Sequence, residues 1–224
     1  MATRKLLAHL AEAYERESGC RVGVTALGGV EAARRVQAGE PFDFAVLASG
    51  AIERLAAAGH VEPARADIAR SGVAVAVAAG AARPDIGSEA ALCDAVVSAA
   101  RIGYSTGPSG DYLIQLFARW GIADAIASRL VRAQPGIPVG SLIASGEVQL
   151  GFQQTSELTD VPGIDIVGPL PAEVQLVTVF SAAVCAVSGR KEAARGFLAF
   201  ATSARTDAIK RAYGMESARG ESKL

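Results

Sequence analysis

The sequence predicts an α/β fold in which mainly parallel sheets are flanked by helices. Short β-rich runs alternate with segments of helical apolar spacing, which is typical of parallel sheets covered on both faces. Half of the 224 residues are hydrophobic and only 5% are aromatic, as in proteins whose helices pack on sheets through small side chains. Two long β-rich runs, near residues 73–79 and 174–184, bracket the central segment. They predict two lobes, residues 1–71 plus 178–224 and residues 72–177, joined by two crossover strands that act as a hinge.

Each element follows from a local pattern. Leu6, Leu7 and Leu10 share one face of the first helix, which ends at Gly19. Further helices are predicted over residues 31–37, 51–58, 88–99, 112–120, 123–130, 139–144, 191–202 and 206–213. Strands are predicted over residues 21–25, 42–47, 72–79, 102–104, 149–152, 164–167 and 174–187.

Composition excludes several functions. The net charge is −1 and no basic run carries interleaved aromatics, so we expect no nucleic-acid partner. The most apolar window, residues 73–82, is too short to span a membrane. The three cysteines and two histidines show no metal or redox spacing, and no nucleotide or hydrolase motif is present. We therefore predict no metal and no cofactor, and we expect a monomer.

The loop between residues 105 and 110 has the chemistry of an anion site. It connects a strand to a helix and contains the hydroxyls of Ser105, Thr106 and Ser109 together with Gly107 and Gly110. The first turn of a helix presents unpaired N–H groups and the positive end of the macrodipole, which suits a small anion. The alternative is that Ser109 or Ser105 simply caps the helix.

Similar polar loops follow other predicted strands. They are Ser49-Gly50, residues 136–139, and residues 153–156. Ligands of parallel sheets bind beyond the carboxyl ends of the strands, so these loops predict a pocket of neutral donors for an anion.

Several segments resemble molybdate-type periplasmic solute-binding proteins. They are residues 38–49, residues 146–154, residues 167–171 and residues 214–216. The likeness covers nearly the whole chain. It implies the two-lobed type II periplasmic-binding-protein fold, with a small anion clamped in the interlobe cleft and delivered to the membrane subunit of an ABC-type transporter.

The resemblance also implies which residues hold the ligand. Ser49, Ser109 and Gly110 match positions that bind the anion in that family. The family's first-loop hydroxyl falls at about Met1, which leaves Thr3 as the nearest hydroxyl and places Arg4 beside it. The loop over residues 136–139, with Pro138 and Val139, and the position of Gln154 complete the implied ligand shell. The chemistry of their own side chains adds Thr106 and Gln153 as candidate ligand-binding residues.

One departure from the family concerns the ligand. Molybdate binders resemble one another in carrying a Tyr where this chain has Gln154. Two adjacent amides, Gln153 and Gln154, can both donate and accept hydrogen bonds, so they suit a larger organic acid. Arg4 can pair with a carboxylate, and its alternative is a solvated residue in the first turn of a helix. We therefore favour an organic polycarboxylate over a molybdate-like oxyanion.

Two other functions stay open. Residues 153–157 and 174–181 resemble a subgroup of these proteins that is itself similar to aconitate isomerase, an enzyme that shifts a double bond in a tricarboxylate. The proton transfer needs an acid/base group, and the candidates are Glu157, Asp111, Tyr104 and Tyr112. No leader precedes the first helix, so the protein is periplasmic if a leader is missing from this chain and otherwise cytoplasmic, where a ligand sensor is the third possibility. A binding protein is favoured over an enzyme.

Overall fold

The computed structural model describes residues 2–134 and 136–219. The chain divides into two compact units. The first unit comprises Met1–Ser71 and Thr178–Leu224, and the second unit comprises Gly72–Val177.

Helices and strands alternate along the described chain. The helices are α1 (Arg4–Ser18), α2 (Gly29–Gln37), α3 (Ser49–Ala57), α4 (Glu89–Ser98), α5 (Pro108–Arg119), α6 (Ala123–Ile126), α7 (Val139–Ala144), α8 (Thr155–Leu158), α9 (Lys191–Thr202) and α10 (Asp207–Ala212). The strands are β1 (Phe44–Ala48), β2 (Val61–Ala78), β3 (Ile102–Tyr104), β4 (Leu130–Arg132), β5 (Leu150–Gln154), β6 (Ile164–Pro169), β7 (Val177–Cys185) and β8 (Glu216–Ser217). This α/β architecture confirms the predicted fold class.

The first unit is built on antiparallel strands. β1 pairs with β7, so that Val46 lies opposite Ala182, and the early part of β2 pairs with β8 through Arg70 and Glu216. The leucine face of α1 is buried in a cluster that also contains Phe197 and Met215. A second cluster forms where α3 covers β1.

The second unit contains a mixed sheet. The later part of β2 lies between β5 and β6 and runs antiparallel to both. β3 lies between β4 and β5 and runs parallel to both. Phe117 of α5 and Phe152 of β5 meet edge to face in the core on one face of this sheet. α7 covers the other face through Val139 and Ile143.

The prediction of mainly parallel sheets is therefore wrong. Antiparallel pairs join β1 to β7 and β2 to its partners, and parallel pairs join β3 to β4 and β5. Apolar runs report burial on the two faces of a sheet, but they do not report strand direction. Direction depends on where each crossover returns the chain, and mixed sheets are common.

Two local predictions are also wrong. Residues 21–25 form no strand, although Val22 and Val24 pack against the core of the first unit, which explains their alternation. The helix predicted over residues 123–130 ends at Ile126 and is followed by a short 3₁₀ turn, Ala127–Arg129. The Arg129 guanidinium donates to the carbonyls of Val97 and Ala99, and Leu130 begins β4 instead.

Candidate functional site

Three of the predicted polar segments lie at one edge of the sheet in the second unit. β3, β4 and β5 run in the same direction, so their carboxyl ends meet at a common edge. β3 leads into α5, the loop after β4 leads into α7, and β5 leads directly into α8. This is the edge at which ligands of parallel strands bind.

The start of α5 brings two buried hydroxyls together. Ser105 Oγ and Ser109 Oγ are 3.0 Å apart, and both side chains are buried. The alternative that one of them caps the helix is wrong, because Gly107 is the N-cap and no side chain caps this helix. The first bond at this end runs from the Asp111 N–H to the Gly107 carbonyl. The N–H groups of Ser109 and Gly110 precede it and therefore have no intrahelical acceptor.

Gly110 is required by a close approach between backbone segments. A Cβ atom at this position would lie 1.8 Å from the Ser105 carbonyl oxygen. The absence of a side chain therefore lets the loop fold tightly over the first turn of α5. This packing places the loop backbone against the first turn of α5, where the two serine hydroxyls meet.

A second group of polar residues at this edge forms a buried series of hydrogen bonds. The Val139 N–H, at the start of α7, donates to Gln153 Oε1 at 2.8 Å. Gln153 is only 3% exposed, and its amide also bonds to the Glu157 carboxyl. Since Oε1 is the acceptor for Val139, Nε2 is the donor to Glu157. Gln153 therefore links α7 to α8 and retains one N–H.

Glu157 is the acid/base candidate with a perturbed environment. Burial raises the pKa of its carboxyl above the ordinary value, and the hydrogen bond from Gln153 opposes that shift. Of the other candidates, Asp111 is exposed and Tyr104 is half-buried. The Tyr112 hydroxyl donates to the Val174 carbonyl at 2.7 Å, so it anchors a neighbouring loop.

We expect Glu157→Gln to stabilise the protein increasingly as the pH rises above the ordinary glutamate pKa of 4.5. A raised folded pKa means that the unfolded chain releases this proton first, so wild-type stability falls across the window above the unfolded value of 4.5. The glutamine variant lacks this term. Urea unfolding at several pH values measures the difference, and equal pH slopes for the two proteins would contradict the burial of Glu157.

Gln154 and its neighbours continue the strand rather than forming the predicted loop. Gln154 is 5% exposed and pairs with Val73 of β2, and α8 begins at the next residue. The Thr155 hydroxyl donates to the Gly72 carbonyl at 3.0 Å. The sequence prediction missed Gln175, whose amide accepts from the Val73 N–H and donates to the Val73 carbonyl. A single Gln in a short connection gives no sequence signal for such a contact.

The other residues predicted to bind the ligand lie at or just before the start of a helix. Thr106 is exposed, and Pro138 is the N-cap of α7. In the first unit, Thr3 is buried at the N-cap of α1, and Arg4 is exposed in its first turn. Ser49 is half-buried at the first position of α3 and makes no capping bond. The Met1 position lies outside the described residues.

Within residues 2–134 and 136–219, no group of three or more His, Cys, Asp or Glu side chains is placed to hold a metal ion. No helix in the same part of the chain is long and apolar enough to cross a bilayer.

The chain is similar to several known proteins. Residues 1–216 match the family model described as bacterial extracellular solute-binding protein. The chain is 38% identical over 201 residues to an aconitate isomerase from Pseudomonas sp., a match that covers 87% of this chain and 76% of the relative.

Solved structures share the fold. The Azotobacter vinelandii periplasmic molybdate-binding protein superposes with a TM-score of 0.78 at 21% identity, covering 96% of this chain and 95% of its own. A substrate-binding domain attributed to a molybdenum ABC transporter from Clostridium difficile gives a TM-score of 0.78 at 16% identity, with the same coverage of 96% and 95%.

Proposed function

The chain belongs to the bacterial extracellular solute-binding protein family, and from that premise we propose that it binds a small organic polycarboxylate. We propose further that it does so in the periplasm, as the solute-binding component that delivers this anion to the membrane subunit of an ABC-type transporter. The observation that carries the proposal is the start of α5, where the buried Ser105–Ser109 pair adjoins two N–H groups without intrahelical acceptors. Such groups bind anions without a compensating cation.

Two observations favour a polycarboxylate over molybdate. The sequence resemblance implies that Gln154, a buried amide, stands where molybdate binders carry a Tyr, and an amide can donate to a carboxylate or accept from a hydroxyl. The 38% identical relative is named for aconitate, which is a tricarboxylate. The molybdate-binding neighbours are less than 25% identical and share the fold alone.

Isomerisation of an unsaturated tricarboxylate is the second candidate function. It is supported by the same relative and by the half-buried Glu157, whose pKa is raised by burial. Binding and isomerisation share the polycarboxylate ligand, so the binding proposal does not depend on which of them the protein performs.

Thermal-shift screening tests the ligand class. The panel is molybdate, tungstate, sulfate, citrate, cis-aconitate and trans-aconitate. A ligand that binds only the folded state raises the unfolding temperature. We expect citrate or an aconitate to do so and molybdate to have no effect. Submicromolar molybdate binding without any response to the organic acids would overturn the polycarboxylate proposal.

We expect Ser49→Ala and Ser109→Ala each to weaken polycarboxylate binding by about 1–3 kcal/mol, because hydrogen bonds to a charged ligand in a desolvated site are worth that much. Ser188→Ala is the control, since its hydroxyl bonds Asp43 Oδ1 at 2.8 Å in the first unit, and it should bind normally. Calorimetry measures the affinities. Unchanged affinity in both test variants would remove these serines from the site.

A further inference from the structure

The position of Glu157 is fixed by a hydrogen-bonded chain that begins at a helix. The Val139 N–H holds Gln153 Oε1 at 2.8 Å, and this bond orients the amide so that Nε2 faces Glu157. Gln153 is buried, so the amide does not exchange these partners for water. Glu157 lies in α8, which begins directly after Gln154 at the edge where β5 ends.

The shift of a double bond in an unsaturated tricarboxylate needs one such group. A C–H bond of the methylene carbon breaks, and its electron pair forms the new double bond. The electron pair of the old double bond then takes a proton at the far carbon. The numbers of protons and electrons are unchanged, so no oxidant, reductant or metal is consumed. One carboxylate that accepts the proton and returns it can serve both steps.

We infer that Glu157 is the group that accepts and returns this proton, and that Gln153 is its positioning residue. The inference rests on the proposed binding of a polycarboxylate and deepens it by assigning an acid/base role at the same site.

The environment of Glu157 suits the role. Burial raises the pKa of the carboxyl above its ordinary value, which makes its ionised form a stronger base than an exposed carboxylate. The competing candidates are less suited. Asp111 is exposed, and the Tyr112 hydroxyl is engaged with the Val174 carbonyl.

The experiment separates binding from chemistry. Citrate is saturated and cannot be isomerised, so calorimetry with citrate measures binding alone. Interconversion of cis- and trans-aconitate, followed by chromatography, measures turnover. Glu157→Gln should leave citrate binding within about tenfold of wild type and lower kcat by about 100-fold or more. Glu147→Gln is the matched control, because Glu147 is exposed in the loop before β5, and its kcat should equal that of wild type.

Gln153→Leu provides a second route if Glu157→Gln fails to bind citrate. A positioning role predicts a loss in kcat with KM retained, whereas a purely structural role predicts a lower fraction of active protein with both constants normal.

The outcomes distinguish the two claims. If wild type binds neither citrate nor an aconitate, the proposed function fails and the inference fails with it. If wild type binds them without interconverting the aconitates, or if Glu157→Gln turns over at the wild-type rate, the inference alone is overturned.

Discussion

Gly110→Ala is expected to destabilise the protein by about 3 kcal/mol and to abolish anion binding. The added Cβ would lie 1.8 Å from the Ser105 carbonyl oxygen, and this oxygen belongs to the backbone rather than to a flexible side chain. The loop must therefore move away from the first turn of α5, and overpacking of this kind costs about 1–3 kcal/mol or more. That movement also separates Ser105 from Ser109.

Gly29→Ala is the matched control for this substitution. Gly29 is exposed at the first position of α2, and a Cβ there meets nothing within 4 Å. We expect its stability to equal or slightly exceed that of wild type, because alanine favours helix over glycine. Urea unfolding of both variants and titration with citrate provide the measurements. A Gly110→Ala protein as stable as wild type would contradict the close approach.

Gln153→Leu is expected to destabilise the protein by about 2–3 kcal/mol. The substitution leaves the Val139 N–H buried without its acceptor and removes the donor to Glu157. A buried polar group left unsatisfied costs about 1–3 kcal/mol, so the loss exceeds the net value of one hydrogen bond.

Gln149→Leu is its control. Gln149 lies just before β5 and accepts from the Ala100 N–H at 2.7 Å, but it is exposed, so water replaces the lost bond. We expect a change of about 0.5 kcal/mol or less. Equal losses for the two leucine variants, measured by urea unfolding, would show that Gln153 holds no buried network.

The fold class could be predicted from the sequence because the alternation of strand and helix patterns is a local property that needs no knowledge of tertiary contacts. The helix at Val139–Ala144 was predicted with its observed bounds. Strand direction was not predictable, since the runs that form β2 and β5 look the same in either orientation.

The sequence predicted which types of residue occur at the site, but it did not predict most of their contacts. The polar side chains of Gln153 and Gln154 predicted a loop, yet both residues lie at the end of β5 and are buried. Gln153 is satisfied by a helix N–H 14 residues away, and Gln175 by a strand 102 residues away. Contacts at such separations leave no local pattern. The raised pKa of Glu157 likewise depends on its burial, which the polar residues next to it in the sequence do not indicate.

Calorimetric titration of the wild-type protein with citrate, each aconitate isomer and molybdate tests the central claim most directly. The prediction rests on the Ser105–Ser109 pair at the start of α5 and on the buried amide of Gln154. We expect at least one polycarboxylate to bind, with one ligand per chain, and molybdate to give no binding heat. Tight binding of molybdate with no heat from any of the organic acids would contradict it.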